Sequence, residues 1–272
     1  MLKHIIRLFL EYDRAVARRL LGQKDLGNFQ VKSMYESKDF VDHYIRELEL
    51  QPPEAEVLEE LRGELPKFKM LDIGVGAGRT TQHFAKLMKE YIGIDYSKTM
   101  IDACRVKFPQ YRLEVADARN LSIFDDSYFD FALFSFNGLD AVEHEERLKI
   151  LHEIRRIIRK GGYFCFSTLN LNSRRGRPPV TFYKNPLLTS FDIYNFLLNG
   201  NFRNKKINHD MIFLKYRDFL TRLYFSTPAE MLKQLSEAGF SQTKAYNLDS
   251  GKEIGDPITM LDYWVYFLTI AN

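Results

Sequence analysis

Apolar side chains at Leu2, Ile5, Ile6, Phe9, Tyr12, Val16 and Leu20 recur at helical spacing, and Gly22 stops the run, which predicts a helix over 2–21. Two more helices are predicted at 34–50 and 54–62, separated by the breaker Pro52-Pro53. After Pro66 the period changes. Short apolar runs at 68–73, 91–95, 111–115, 129–136 and 163–169 read as strands. Helical stretches lie between them at 79–89, 97–108 and 141–159, the second ended by Pro109 and the third by Gly161-Gly162. Strands alternating with helices predict an α/β protein with a parallel, doubly wound sheet.

From 170 to about 225 the alternation breaks down. The stretch 172–179 is polar and loop-like, and Arg174, Arg175 and Arg177 make it locally basic. Such a cluster can meet a phosphate or carboxylate, though a solvated loop is the favoured reading. Phe182, Tyr183, Phe191, Tyr194, Phe196 and Phe202 follow, as core of the insertion or as pocket wall. The rhythm then resumes. Thr227 is placed as N-cap, Pro228 in the first turn and Glu230 three residues on, with the helix ending at Gly239. Strands are predicted at 242–248 and 260–270.

Composition narrows the class. Apolar residues make up 45% and charged residues 28%, which excludes general disorder. A net charge of +3 gives no whole-protein field for a polyanion, so nucleic acid is not expected as a partner. Two cysteines, Cys104 and Cys165, cannot build a disulfide framework and suit a reducing compartment. The six His and two Cys show no zinc spacing, and no metal is expected. Lys3, Arg7, Glu11, Asp13 and Arg14 interrupt the first apolar stretch, and the cleanest run, 263–268, is far short of the roughly 20 residues of a spanning helix. The chain therefore reads as cytoplasmic. The first helix is basic on its polar face and could lie on an anionic membrane. Glu11 and Asp13 dilute that charge, so packing on the domain, or on a second copy in a homodimer, is favoured.

The most informative segment is Met70-Leu-Asp72-Ile-Gly74-Val-Gly76-Ala-Gly78-Arg79, where a strand enters a helix. Glycines there allow a tight turn and close approach of a ligand to the main chain. A dinucleotide fold wants G-x-G-x-x-G, with its last glycine at 79; here position 79 is Arg. Asp95 ends the second strand, where an acid can accept ribose hydroxyls, and Asp117 follows the third. Three acids at neighbouring strand tips would line one crevice. The competing readings are a plain tight turn, a decorated helix start at Asp95 and a turn residue at Asp117.

Together these segments resemble the class I S-adenosylmethionine-dependent methyltransferases, of the small-molecule type. Asp72-Ile-Gly74-Val-Gly76-Ala-Gly78 resembles the first motif of that family, and Gly93-Ile-Asp95-Tyr-Ser the acidic second motif. Residues 117–121, 124–130, 155–164 and 230–240 resemble later motifs in the same order. The resemblance covers roughly 66–170 and 226–270. It implies a Rossmann-like seven-stranded sheet of order 3-2-1-4-5-7-6 with the last strand antiparallel. The chain then divides into an N-terminal helical segment or lid at 1–66, a core at 67–170 and 226–272, and a substrate cap at 171–225 between strands 5 and 6. It implies S-adenosylmethionine as cofactor, with S-adenosylhomocysteine as product. By position, Gly74, Gly76 and Gly78 would pass beneath the methionine moiety and Asp72 would orient that loop. Asp95 would hold the ribose, Tyr96 and Met100 would flank the adenine, and Asp117 and Ala118 would read its edge. Phe134 or Ser135 would sit beside the sulfonium. Tyr35, on a helix that often lids this site, would reach the cofactor's carboxylate, with core packing as its alternative.

Methyl transfer needs alignment more than a base. Residues just past the fourth strand face the reacting methyl in this architecture, which makes Asp140 and His144 candidates for a general base or an acceptor-amine ligand. Asp140 can equally cap the helix near 141, and His144, between Glu143 and Glu145, can lie on a solvated face. The fourth strand does not end in an Asn/Asp-Pro-Pro-Tyr/Phe motif, which disfavours a nucleobase amine. No cysteine stands near 136–140, which disfavours thiolate attack on cytosine. A small-molecule acceptor methylated at nitrogen or oxygen is the expected function. An RNA or protein methyltransferase and a silent cofactor-binding scaffold subunit are the alternatives.

Overall fold

The computed structural model describes residues 44–46, 48–173, 189, 190, 193, 208–216, 219–259 and 262–272. The predicted helix at 2–21, Tyr35, the arginines of the 172–179 stretch and the aromatic set from Phe182 to Phe202 lie outside the described residues. Helix α1 (Pro52–Glu60) begins with the two prolines expected to break a helix. Proline at the first position lacks only an N–H that has no intrahelical partner, so Pro52-Pro53 starts α1 instead. The Glu54 side chain closes that start by accepting from the Gln51 N–H at 2.8 Å.

The sheet contains β1 (Lys69–Ile73), β2 (Glu90–Asp95), β3 (Arg112–Val115), β4 (Phe129–Phe134), β5 (Ile158–Asn170), β6 (His209–Tyr216), β7 (Phe219–Ser226), β8 (Phe240–Asn247), β9 (Glu253–Ile254) and β10 (Trp264–Ala271). The main path runs β3-β2-β1-β4-β5-β10-β8-β9. β1 to β5 are mutually parallel, and β10 lies antiparallel between β5 and β8. This is the expected 3-2-1-4-5-7-6 path, extended. Among the described residues the sheet has ten strands rather than seven. The two-residue β9 adds an edge, and the β6–β7 hairpin joins β5 through Leu169↔Phe225 and Asn170↔Ser226. Residues 209–216 and 219–225, expected within a cap, therefore pair with the sheet. Their apolar positions do not alternate cleanly, and the connecting Arg217-Asp218 lacks the glycine or asparagine that marks a hairpin in sequence.

Helices α2 (Thr81–Phe84), α3 (Lys98–Lys107), α4 (His144–Ile157) and α5 (Pro228–Ala238) complete the two outer layers. β4 shows how the layers are held. Phe131 and Leu133 pack into the cluster of α1 and α3, whereas Ala132 and Phe134 pack into that of α4 and α5. A strand buried on both faces reads as a continuous apolar run. Each such Leu or Phe contributes about 1.5–3 kcal/mol by leaving water. α5 starts and stops as predicted, with Thr227 Oγ1 accepting from the Glu230 N–H and Gly239 in the left-handed region. α4 starts later than predicted. A short 3-10 turn, Gly138–Asp140, precedes it, and Glu143 is its N-cap. The strand order reverses between β1 and β4, so a crevice opens beyond their C-terminal ends, where open α/β sheets bind ligands.

Candidate active site

The turn after β1 forms one wall of this crevice. Gly74 has a φ of +68°, and a Cβ there would come within 3.1 Å of the Phe134 ring. Gly78, with φ +90°, faces away from the crevice. A Cβ on it would lie 2.6 Å from the Phe108 ring and 2.8 Å from the Cys104 sulfur, so this glycine lets the turn pack on α3.

Asp95 ties β2 to that turn. Its Oδ2 accepts from the Gly76 N–H at 3.0 Å and its Oδ1 from the Ser97 N–H at 2.8 Å. It is 8% exposed, and burial pushes its carboxyl up to about 6 against the pull of those two amides. Each oxygen keeps a further lone pair for a ligand donor. Asp72 lies behind the turn, almost wholly buried. Its Oδ2 accepts from Thr80 Oγ1 at 2.5 Å and from the Tyr91 hydroxyl at 2.7 Å. Burial raises its carboxyl to about 6, offset in part by those two bonds and by the Arg79 charge.

These elements enclose a cavity with about 1010 Å³ of empty space, its mouth included. Gly74, Gly76 and Asp95 line it on one side, with Tyr96 and Met100 from the start of α3. Asp117, Ala118, Phe134 and Ser135 line it on the other. Nine of the expected cofactor residues thus surround one space; Asp72 and Gly78 support it from behind. Asp117 is half-buried, and its Oδ2 accepts from Arg119 Nη2 at 2.6 Å. Burial alone would raise its carboxyl, but the Arg119 bonds outweigh it and hold it below the usual range.

A buried ionic network underlies the far end. Glu54, from α1, is 0% exposed. Its two oxygens accept from Arg79 Nη1 at 2.5 Å and Nη2 at 2.7 Å. Glu54 Oε1 also accepts from Ser135 Oγ and, at 3.1 Å, from the Tyr266 hydroxyl. The Arg79 guanidinium lies 4.3 Å over the Phe136 ring. Sequence reading missed this network. Arg79 was visible as the residue after the third glycine; nothing in α1 distinguishes Glu54 from a solvated first-turn acid.

Asp140 and His144 sit on the other face of the sheet rim. Asp140 is fully buried in the 3-10 turn and is not the cap of α4. Its Oδ1 accepts from Arg147 Nη1 at 2.5 Å and Thr168 Oγ1 at 2.7 Å, and its Oδ2 from the Leu169 N–H at 2.8 Å. Burial raises its carboxyl to about 6 against the Arg147 charge and these bonds. His144 does not lie on a freely solvated face. It is half-buried, its Nδ1 is 2.8 Å from the Tyr224 hydroxyl, and its ring stacks on His209 at 4.1 Å. Gln234 Nε2 donates to the same Tyr224 hydroxyl at 3.0 Å. Cys104 and Cys165 are both buried and free. Among the described residues no helix is long and apolar enough to cross a membrane, and no cluster of His, Cys, Asp and Glu could hold a metal.

Comparison with known proteins agrees with this geometry. Residues 70–162 match the family of methyltransferase domains. A ubiquinone biosynthesis O-methyltransferase from Alkalilimnicola ehrlichii is 28% identical over 131 residues, 46% of this chain and 51% of that protein. The match thus spans about half of that relative's length. A solved Thermotoga maritima structure, a SAM-dependent methyltransferase described as a possible histamine N-methyltransferase, superposes with a TM-score of 0.54 at 22% identity, covering 89% of this chain and 99% of that one. The Burkholderia thailandensis 1,6-didemethyltoxoflavin-N1-methyltransferase, solved with its substrate and S-adenosylhomocysteine, gives a TM-score of 0.58 at 14% identity over 90% of this chain and 88% of its own.

Proposed function

We propose that this chain, which belongs to the class I S-adenosylmethionine-dependent methyltransferases, moves a methyl group from S-adenosylmethionine to nitrogen or oxygen of a small-molecule acceptor. The observation that carries this reading is the cavity at the switch point, bounded by the Gly74 turn, Asp95 and Asp117 from three adjacent strand tips. The cofactor, when bound, supplies a methyl already activated by its sulfonium. The protein's task is then alignment, and effective molarity accounts for much of the acceleration.

Gly74 and Gly76 let main chain meet the methionine end. Asp95 accepts the ribose hydroxyls on the lone pairs its two amide bonds leave over. Tyr96 and Met100 flank the adenine, Asp117 and Ala118 meet its edge, and Phe134 and Ser135 stand beside the sulfonium. Asp72 acts through Thr80 and Tyr91 by fixing the turn, and Gly78 by letting it pack on α3. Tyr35 is assigned to the cofactor's carboxylate. Of the two acid–base candidates, Asp140 has both oxygens engaged and no exposure, which supports a positioning role through Arg147 and β5. His144 keeps partial exposure and a Tyr224 partner, which supports it as the group that takes a proton. The relative named for O-methylation and the fold neighbour named for N-methylation both support a small acceptor.

Calorimetric titration with S-adenosylhomocysteine and with NAD tests the site, and transfer of labelled methyl to a panel of phenols and amines tests the reaction. Binding of NAD in preference to S-adenosylhomocysteine would sink the reading. Label appearing only in RNA or protein would move the acceptor to a macromolecule.

A further inference from the structure

Arg119 stands in the cavity wall beside Asp117 and Ala118. It follows Asp117 by two residues, and its side chain folds back onto that carboxylate. Nε lies 3.0 Å from each Asp117 oxygen, Nη2 donates to Oδ2 at 2.6 Å, and the Arg119 main-chain N–H donates to Oδ1 at 2.9 Å. The remaining nitrogen, Nη1, donates to Glu146 Oε1 at 2.5 Å. Glu146 sits in the first turn of α4, where its Oε2 accepts from the Glu143 N–H at 3.4 Å and closes the capping box. Ala141 and Val142, just before that cap, line the same cavity. One guanidinium thus joins the tip of β3 to the start of α4.

This clamp is a weak source of stability. The Arg119, Asp117 and Glu146 side chains are 36%, 42% and 30% exposed, and ion pairs so open to water contribute little to folding. What the clamp supplies is direction. A planar fork that engages both oxygens of a carboxylate fixes the plane of the group, which a point charge does not. Against the upward push of burial, the Arg119 bonds hold the Asp117 carboxyl below its usual range, so it remains a pure acceptor near neutral pH. Each oxygen already accepts two N–H groups, but Nε is shared between them. A ligand donor arriving at one oxygen can take over that half and leave the Nη2 and Nη1 bonds in place.

We propose that Arg119 is a positioning residue for adenine recognition: it holds the Asp117 carboxylate in one orientation for the exocyclic amine and fastens it to α4 through Glu146. This rests on the methyltransferase reading and assigns to that site the residue that sets its selectivity for an amine over a carbonyl at the same ring position.

The test compares S-adenosylhomocysteine with S-inosylhomocysteine, in which a ring carbonyl replaces the amine. Both are titrated by calorimetry at pH 8, and each variant is also melted. The wild-type protein should prefer S-adenosylhomocysteine by about tenfold or more, since an oriented acceptor rejects a carbonyl that leaves it unpaired. Arg119→Met should weaken S-adenosylhomocysteine by about tenfold and shrink the preference to about threefold or less, with a melting temperature within about 2 °C of wild type. Arg119→Lys, which keeps the charge without the fork, should not restore the preference. Glu146→Gln should cause a smaller loss in the same direction. In an Asp117→Asn background, Arg119→Met should add less than about twofold, because Arg119 acts through Asp117.

A wild-type protein with no preference, a preference that survives Arg119→Met, full recovery by Arg119→Lys, or additive losses in the double variant would overturn the proposal. So would a loss of affinity that only tracks a fall in melting temperature. Failure of the wild-type protein to bind S-adenosylhomocysteine would instead remove the reading beneath it, a result visible before any variant is made.

Discussion

Asp95 offers the sharpest test of the cofactor site because its environment sets both an affinity and a pH dependence. Its carboxyl is raised to about 6 by burial, against an ordinary value of 3.8. Between these two values the folded protein holds a proton that the unfolded chain has released. The stabilisation from the protonated form is therefore complete below 3.8 and is lost as pH rises through 6. Above that, holding Asp95 ionised costs about 3 kcal/mol relative to the unfolded chain, from roughly two pH units at 1.36 kcal/mol each. A ribose that donates two hydroxyls favours the ionised form. Cofactor affinity should then be flat from pH 8 to about 6.5 and fall about tenfold by pH 5. Asp95→Asn should remove this dependence and weaken binding at pH 8 by about 1–3 kcal/mol, some 5- to 150-fold, since it loses charge-assisted bonds and turns an amide N–H toward a backbone donor. Calorimetric titration of S-adenosylhomocysteine across pH 5–8 measures both. A wild-type affinity that does not change with pH, or an Asn variant within twofold of wild type, would refute the assignment of Asp95 to the ribose.

Other substitutions test the supporting structure. Glu54→Gln should leave the Arg79 guanidinium buried without its counter-ion and cost about 3 kcal/mol, lowering the melting temperature by about 6–12 °C in a calorimetric scan. A shift below 2 °C would mean the pair is solvated in solution. Arg147→Met should destabilise by a similar amount, because Asp140 is then buried unpaired. It should lower kcat only as far as it lowers the folded fraction, whereas His144→Ala should lower kcat without changing the melting temperature by more than a few degrees. Equal effects of the two on kcat per folded molecule would argue against a proton-accepting His144. Gly78→Ala should lower stability through its left-handed backbone and its clash with Phe108 and Cys104, which chemical denaturation would register as a lower midpoint.

The core architecture was legible because parallel βα units are written locally. An apolar run of five or six residues, a glycine turn and an amphipathic stretch each fall within about 30 residues, and their order implies the sheet path. The acids at 95 and 117 were legible for the same reason, since a strand's C-terminal end can be located from its own pattern. The β6–β7 hairpin was not, because its strands lack alternation and its turn lacks a marker residue. Proline also misled. Pro52-Pro53 stops one segment and starts another, and only the following apolar positions on α1 show which.

Local pattern thus placed the glycine turn, the strand tips and the crevice between them, since each is set by residues near in the chain. The tertiary structure alone decided which charges are buried and what they hold. Glu54 meets Ser135 across 81 positions and Tyr266 across 212, and Asp140 reaches β5 across 28. Whether a carboxylate caps a helix, waits for a proton or pins two strands together depends on what other elements pack over it. That covering is a property of the folded whole, and residue type and spacing do not carry it.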